Sequence, residues 1–67
     1  MWIDVDKKLP ELRQQVLCFG IRHYSGSGAI EHDFEVGWVT KMHGKMIWIT
    51  QKIIPLFWMP LPAAPTA

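Results

Sequence analysis

Polar and apolar residues alternate over short stretches of this chain, and no apolar stripe recurs at helical spacing for more than two turns. A period of two marks half-buried strands. Phe34-Glu35-Val36-Gly37-Trp38-Val39-Thr40 places Phe34, Val36 and Trp38 on one side of a pleat. Met46-Ile47-Trp48-Ile49-Thr50 returns after Lys41-Met42-His43-Gly44-Lys45, whose glycine suits the left-handed position of a hairpin loop. The pattern predicts a hairpin over 34–51. Upstream, residues 16–24 are rich in β-formers, with Leu17, Phe19 and Ile21 on one face and Val16 and Cys18 on the other. Gly20 within that strand marks a bulge or a close backbone approach.

The ends of the chain are less regular. Trp2-Ile3-Asp4-Val5 has the alternation of a short entry strand. Pro10 pushes Leu9 out of the helical region while its own fixed φ suits the first position of a turn, so one short helical turn is expected near 9–15. Ser25-Gly26-Ser27-Gly28 has neither the lysine nor the following helix of a phosphate loop and is expected as a hairpin tip. Ile53-Ile54-Pro55-Leu56-Phe57-Trp58-Met59 is a closing strand that completes the core, and Pro55, lacking an N–H, places it at a sheet edge or starts it after the proline. The fold class is therefore mostly β, a small antiparallel SH3-like or OB-like barrel of four or five strands with one short helical turn. Residues 1–62 form one domain, and 63–67 form a flexible C-terminal tail.

Composition sharpens this picture. Sixty-seven residues make one small domain that buries only about 60% of its unfolded surface and needs additional support. One cysteine excludes an internal disulfide, and the scattered His23, His32 and His43 give no zinc-site spacing. The support left is aromatic mass, four Trp, three Phe and one Tyr, or self-association. A net charge of +1 is no electrostatic footprint for nucleic acid. The first residues lack the apolar stretch of a signal peptide, and the apolar run at 53–61 is too short and too proline-broken to cross a bilayer. A cytoplasmic location with no membrane partner is expected.

Trp2-Ile3-Asp4-Val5, Leu9-Pro10-Glu11, Val16-Leu17, Gly37-Trp38, Trp48 and the close Trp58-Met59-Pro60-Leu61-Pro62 together resemble the family catalogued as domain of unknown function 551. The resemblance runs from Trp2 to Pro65, and its most specific element is W-M-P-L-P. It implies an uncharacterised family of small phage and prophage proteins, and hence the cytoplasm of a bacterial host, but no mechanism. Many relatives carry histidine where this chain has Phe57, a departure consistent with a structural position.

The chemistry is sparse. His32 and Asp33 beside Glu31 have the residue types of a general base and its orienting carboxylate, but strand neighbours point to opposite faces. Cys18 lies mid-strand among apolar residues, where buried and inert cysteines sit. Asp4 and Asp6 lack the third acid and the glycine turn of a cation loop, and Asp6 is expected to cap the turn at Pro10. No catalytic set, metal site or cofactor site is expected, and so no enzyme. A small barrel cannot enclose eight aromatic rings, which makes Trp38, Trp48, Trp58 and Met59 the candidate partner-binding residues. The expected function is that of a non-catalytic phage or prophage accessory protein acting by protein–protein binding, as an inhibitor of a host factor or through self-association. The alternative is a weak nucleic-acid-binding β-barrel module, with rings stacking on bases between Arg13, Arg22, Lys41, Lys45 and Lys52.

Overall fold

The computed structural model describes residues 1–23, 26 and 28–62, which carry five strands and no helix. In chain order they are β1 (Ile3–Asp4), β2 (Val16–Arg22), β3 (His32–Met42), β4 (Lys45–Ile49) and β5 (Ile53–Pro60). Every ladder is antiparallel, and the sheet order is β1-β5-β2-β3-β4. The small antiparallel β domain expected from the alternation is present. Its closure into a barrel is not, because no ladder joins the edge strands β1 and β4. A barrel needs its two edges to meet, and a two-residue β1 is too short to provide one. Its place beside the end of β3 is taken by a single parallel bridge from Leu12 to Val39, with the Arg13 N–H donating to the Val39 carbonyl at 2.8 Å.

The turn expected near 9–15 is not helical. The Gln14 N–H donates to the Glu11 carbonyl at 3.1 Å, and Arg13 sits at φ 64°, a left-handed residue that stops helical propagation. A helix-like loop lies earlier, where the Lys7 and Lys8 N–H groups both donate to the Asp4 carbonyl. The Asp4 carboxylate accepts the Asp6 N–H at 2.8 Å, so Asp4 rather than Asp6 is the capping residue. Asp4 stands two residues before the backbone group that needs an acceptor, and Asp6 does not.

β3 turns the sheet. Residues 32–37 pair with β2, and 38–42 pair with β4. At the switch, a Cβ on Gly37 would lie 2.7 Å from Thr50 Cγ2 and 2.8 Å from the Ile49 carbonyl oxygen, so only glycine admits the crossing. Beyond it, β3 and β4 join through two residues, His43 at φ 52° and Gly44 at φ 79°. Two positive φ values in a two-residue loop define the type I′ hairpin turn.

β5 lies inside the sheet, between β1 and β2, and runs through Pro55. The edge position inferred from that proline is corrected by a bulge. The β2–β5 register shifts between Phe19 and Gly20, and Pro55 pairs opposite Gly20 at the shift, where the regular ladder is interrupted. There a Cβ on Gly20 would fall 1.9 Å from the Ile54 carbonyl oxygen.

One face of the curled sheet is concave and packed. Val16, Cys18, Ile53 and Trp58 form the core cluster, with Ile3, Val5 and Trp48 against it and Val39 buried nearby. Trp58 is 4% exposed, and its indole N–H donates to the Lys8 carbonyl at 2.8 Å, which satisfies the ring's polar edge. The hairpin tip expected at 25–28 and the tail at 63–67 fall largely or wholly outside the described residues.

Candidate binding surface

Register builds the opposite, convex face in three cross-strand rows. Met59, Leu17 and Val36 form one, Phe57, Phe19 and Phe34 the next, with Asp4 beside Phe57, and Ile54, Ile21 and His32 the third. Side chains directly opposite across an antiparallel pair touch, which makes each row a continuous strip. Trp2, just before β1, closes on the middle row, with its ring centroid 6.1 Å from that of Phe19 and 6.0 Å from that of Phe34. Phe19 and Phe34 are 5.0 Å apart and tilted, and His32 stacks on Phe19 at 5.4 Å and 8°. Such tilted and offset pairs hold one another in place.

Trp2, Phe19, Phe34 and Phe57 line an open hollow of about 300 Å³ whose walls are almost wholly apolar. Large side chains here stay exposed, Phe34 by 52%, Ile54 by 51% and Val36 by 45%. The concave side accounts for this. Gly20 and Gly37 lie on its parity, where strands approach too closely for a side chain, so the bulky alternate positions fall on the outer face. No Lys or Arg stands in the three rows, and Asp4 is their one formally charged residue.

Polar groups elsewhere serve the fold. The Glu35 carboxylate accepts the Gln51 N–H and, at 2.8 Å, the Lys52 N–H, fixing the turn from β4 to β5. Thr50 Oγ1 donates to the Ile53 carbonyl at 2.6 Å in the same turn. Asp33 is held below the usual carboxylate range, chiefly by the Phe34 N–H it accepts at 2.7 Å, with Lys52 3.7 Å away. Arg22 pairs with Glu31 at 3.4 Å. His32 points to the aromatic face while Asp33 reaches Lys52 on the other, so the two do not converge. His23 and His43 are exposed. Among the described residues, no group of three His, Cys, Asp or Glu is placed to hold a metal ion. Burial pushes the Cys18 thiol up to about 11, partly offset by the Gly37 backbone and reinforced by the Glu35 charge, which leaves it protonated near neutrality.

The four candidate residues named from sequence are split by the sheet. Trp58 fills the core and has no surface to offer, a correction that follows from its parity opposite Phe57. Trp48 packs half-buried against the same core. Met59 belongs to the convex rows, and Trp38 lines a second, more polar hollow with Glu35, Thr50 and Lys52. Trp2, Phe19, Phe34 and Phe57, which define the apolar hollow, were not singled out. The signal that identifies them is the parity of Gly20 and Gly37, which marks the concave side and leaves Phe19 and Phe34 on the other.

These features define a class, that of small all-β domains with an uncovered aromatic sheet face. The chain belongs to the family described as Protein of unknown function (DUF551), whose model matches residues 1–66. Neither a curated protein nor a solved structure matches it. The motifs behind the resemblance meet in space: the tryptophan of W-M-P-L-P bonds the carbonyl of Lys8, immediately before Leu9-Pro10-Glu11, and Pro10 is buried. No helix among the described residues is long and apolar enough to cross a membrane.

Proposed function

We propose that this chain is a non-catalytic binding protein that engages another protein through the convex aromatic face of its sheet. The observation that carries the reading is three continuous apolar rows around an open aromatic hollow, left uncovered by the rest of the described chain. Contiguous exposed apolar surface on a small domain marks an interaction site, and aromatic anchors around a pocket are the usual centre of one. The setting proposed is that of a phage or prophage accessory protein in the cytoplasm of a bacterial host, which occludes a host factor or pairs with itself.

The nucleic-acid alternative draws on the same exposed rings, since bases stack on such platforms. It lacks the cations that track a phosphate backbone, because no Lys or Arg stands in the rows and Arg22 and Lys52 are paired with Glu31 and Asp33. Affinity capture of the tagged chain from a bacterial host, with nuclease treatment and a high-salt wash, decides between them. Protein retained by the wild type and lost with Phe34→Glu supports the proposal. Oligonucleotide that is released as salt rises supports the alternative.

A further inference from the structure

The described residues bury five hydrophobic side chains, yet leave twelve large ones exposed. A sheet that is apolar on both faces needs a second layer on each. On the concave side the curl of β3 and β4 supplies that layer; on the convex side nothing in the described chain does. A chain of 67 residues with one cysteine gains no disulfide, and its described residues gather no metal cluster. Among the devices that stabilise so small a domain, aromatic packing in the core and association are the two left, and among the described residues the core holds only five buried hydrophobic side chains.

We infer that the occupant of the convex face is a second copy of this chain, packed sheet on sheet about a two-fold axis, an inference that rests on reading this face as a protein-binding surface. Area supports it. Trp2, Phe34, Val36, Ile54 and Phe57 are 40, 52, 45, 51 and 37% exposed. At about 150–250 Å² for a large side chain they offer roughly 340–560 Å² per copy. Two copies, with the half-buried members of the rows, bring the total to about 1,000 Å², the threshold for a biological interface and the size of a weak, reversible one. Charge also permits it. The rows hold one formally charged residue, Asp4, at the margin beside Phe57, so like faces meet with little repulsion. The face also carries an open aromatic hollow and, in the rows on either side of it, the exposed aliphatic side chains of Ile54 and Val36. In a two-fold arrangement each such contact is made twice, and aligned sheets pack about 10 Å apart with interdigitated side chains.

Sedimentation equilibrium of the full chain over low to high micromolar concentrations tests this, alongside the thermal midpoint at each concentration. The expected result is a monomer–dimer equilibrium whose thermal midpoint rises with concentration. Phe34→Glu and Ile54→Glu, each with native far-UV circular dichroism, should raise the dissociation constant at least about tenfold, since each substitution enters the interface twice. Met46→Glu, at a residue 44% exposed on β4 and of opposite parity, should leave it unchanged. A wild type that stays monomeric at high micromolar concentration overturns the inference. A dimer that both glutamate variants leave intact overturns it too, by placing the contact elsewhere. The capture experiment then separates the two readings. If Phe34→Glu still abolishes capture of a protein by a monomeric chain, only self-pairing fails; if capture is also unchanged, the binding face fails with it.

Discussion

The two faces of this sheet are built from the same strands and nearly the same residue types, yet they do different things. On the concave face Val16, Cys18, Ile53 and Trp58 are buried, and Gly20 and Gly37 stand where no side chain fits. On the convex face Trp2, Phe34, Val36, Ile54 and Phe57 remain 37–52% exposed. Curvature makes the difference. Bending a sheet draws its inner side chains together until they bury one another, Trp58 included, and fans out the outer ones until even large rings cannot cover one another. Apolar character therefore does not distinguish core from surface in a sheet this strongly curled; parity relative to the glycines does.

The sharpest way to break the comparison is Gly20→Ala. Its Cβ would meet the Ile54 carbonyl oxygen at 1.9 Å and Pro55 Cα at 2.9 Å, both backbone atoms that cannot swing aside. A loss of about 3–5 kcal/mol is expected in urea denaturation, enough to unfold a domain of this size. A loss below about 1 kcal/mol would remove the bulge from the account.

Next in size is an alkaline transition at Cys18. The folded thiol titrates at about 11 against 9.0 for the unconstrained group, because burial disfavours the thiolate. A raised folded pKa contributes stability that is complete below the unfolded value and lost as pH rises through the folded one. Stability should therefore fall between pH 9.0 and about 11, by at most about 2–3 kcal/mol. Cys18→Ala should flatten that part of the pH profile, and a slope that survives the substitution belongs to another group.

Trp58→Phe keeps the ring in the core but removes the N–H that satisfies the Lys8 carbonyl. Calorimetry should show a loss of about 1–2 kcal/mol. The same protein should keep its convex-face binding, since Trp58 points away from it.

Smallest of all is Phe34→Ser on the convex side. Measured at concentrations too low for association, it should cost under about 1 kcal/mol, because Phe34 is already 52% exposed and its ring contacts, to Trp2 and Phe19, lie on the same open face. A cost equal to that of a core truncation would erase the distinction between the faces.

How much of this was legible in the sequence depended on how many readings each segment allowed. The β3–β4 hairpin was legible because Phe34-Glu35-Val36-Gly37-Trp38 alternates and His43-Gly44 provides a turn whose glycine takes a left-handed φ. The buried face of β2 was not, since Val16-Leu17-Cys18-Phe19-Gly20-Ile21 is apolar at both parities and periodicity cannot choose. The inner position of β5 was hidden by Pro55, whose missing N–H argues for an edge unless a bulge removes the ladder position it would have filled. Arg13 likewise gave no sign of its positive φ, because a bridge to Val39, distant in sequence, sets the path of that segment. The candidate tryptophans were chosen by residue type, which says nothing of which side of a pleat each occupies.

The sheet order carries a further consequence, for the timing of folding. The fifth strand in chain order, β5, is inserted between β1 and β2 and ties back to Lys8 across fifty residues through Trp58. β2 can pair with β3 and β3 with β4 through contacts between chain neighbours, but the two core-forming ends meet only when β5 inserts between β1 and β2. Contacts of such long sequence separation form late. Until then the apolar residues of both faces are exposed together, so the interval before β5 inserts is the period in which a folding chain is most open to capture by a chaperone.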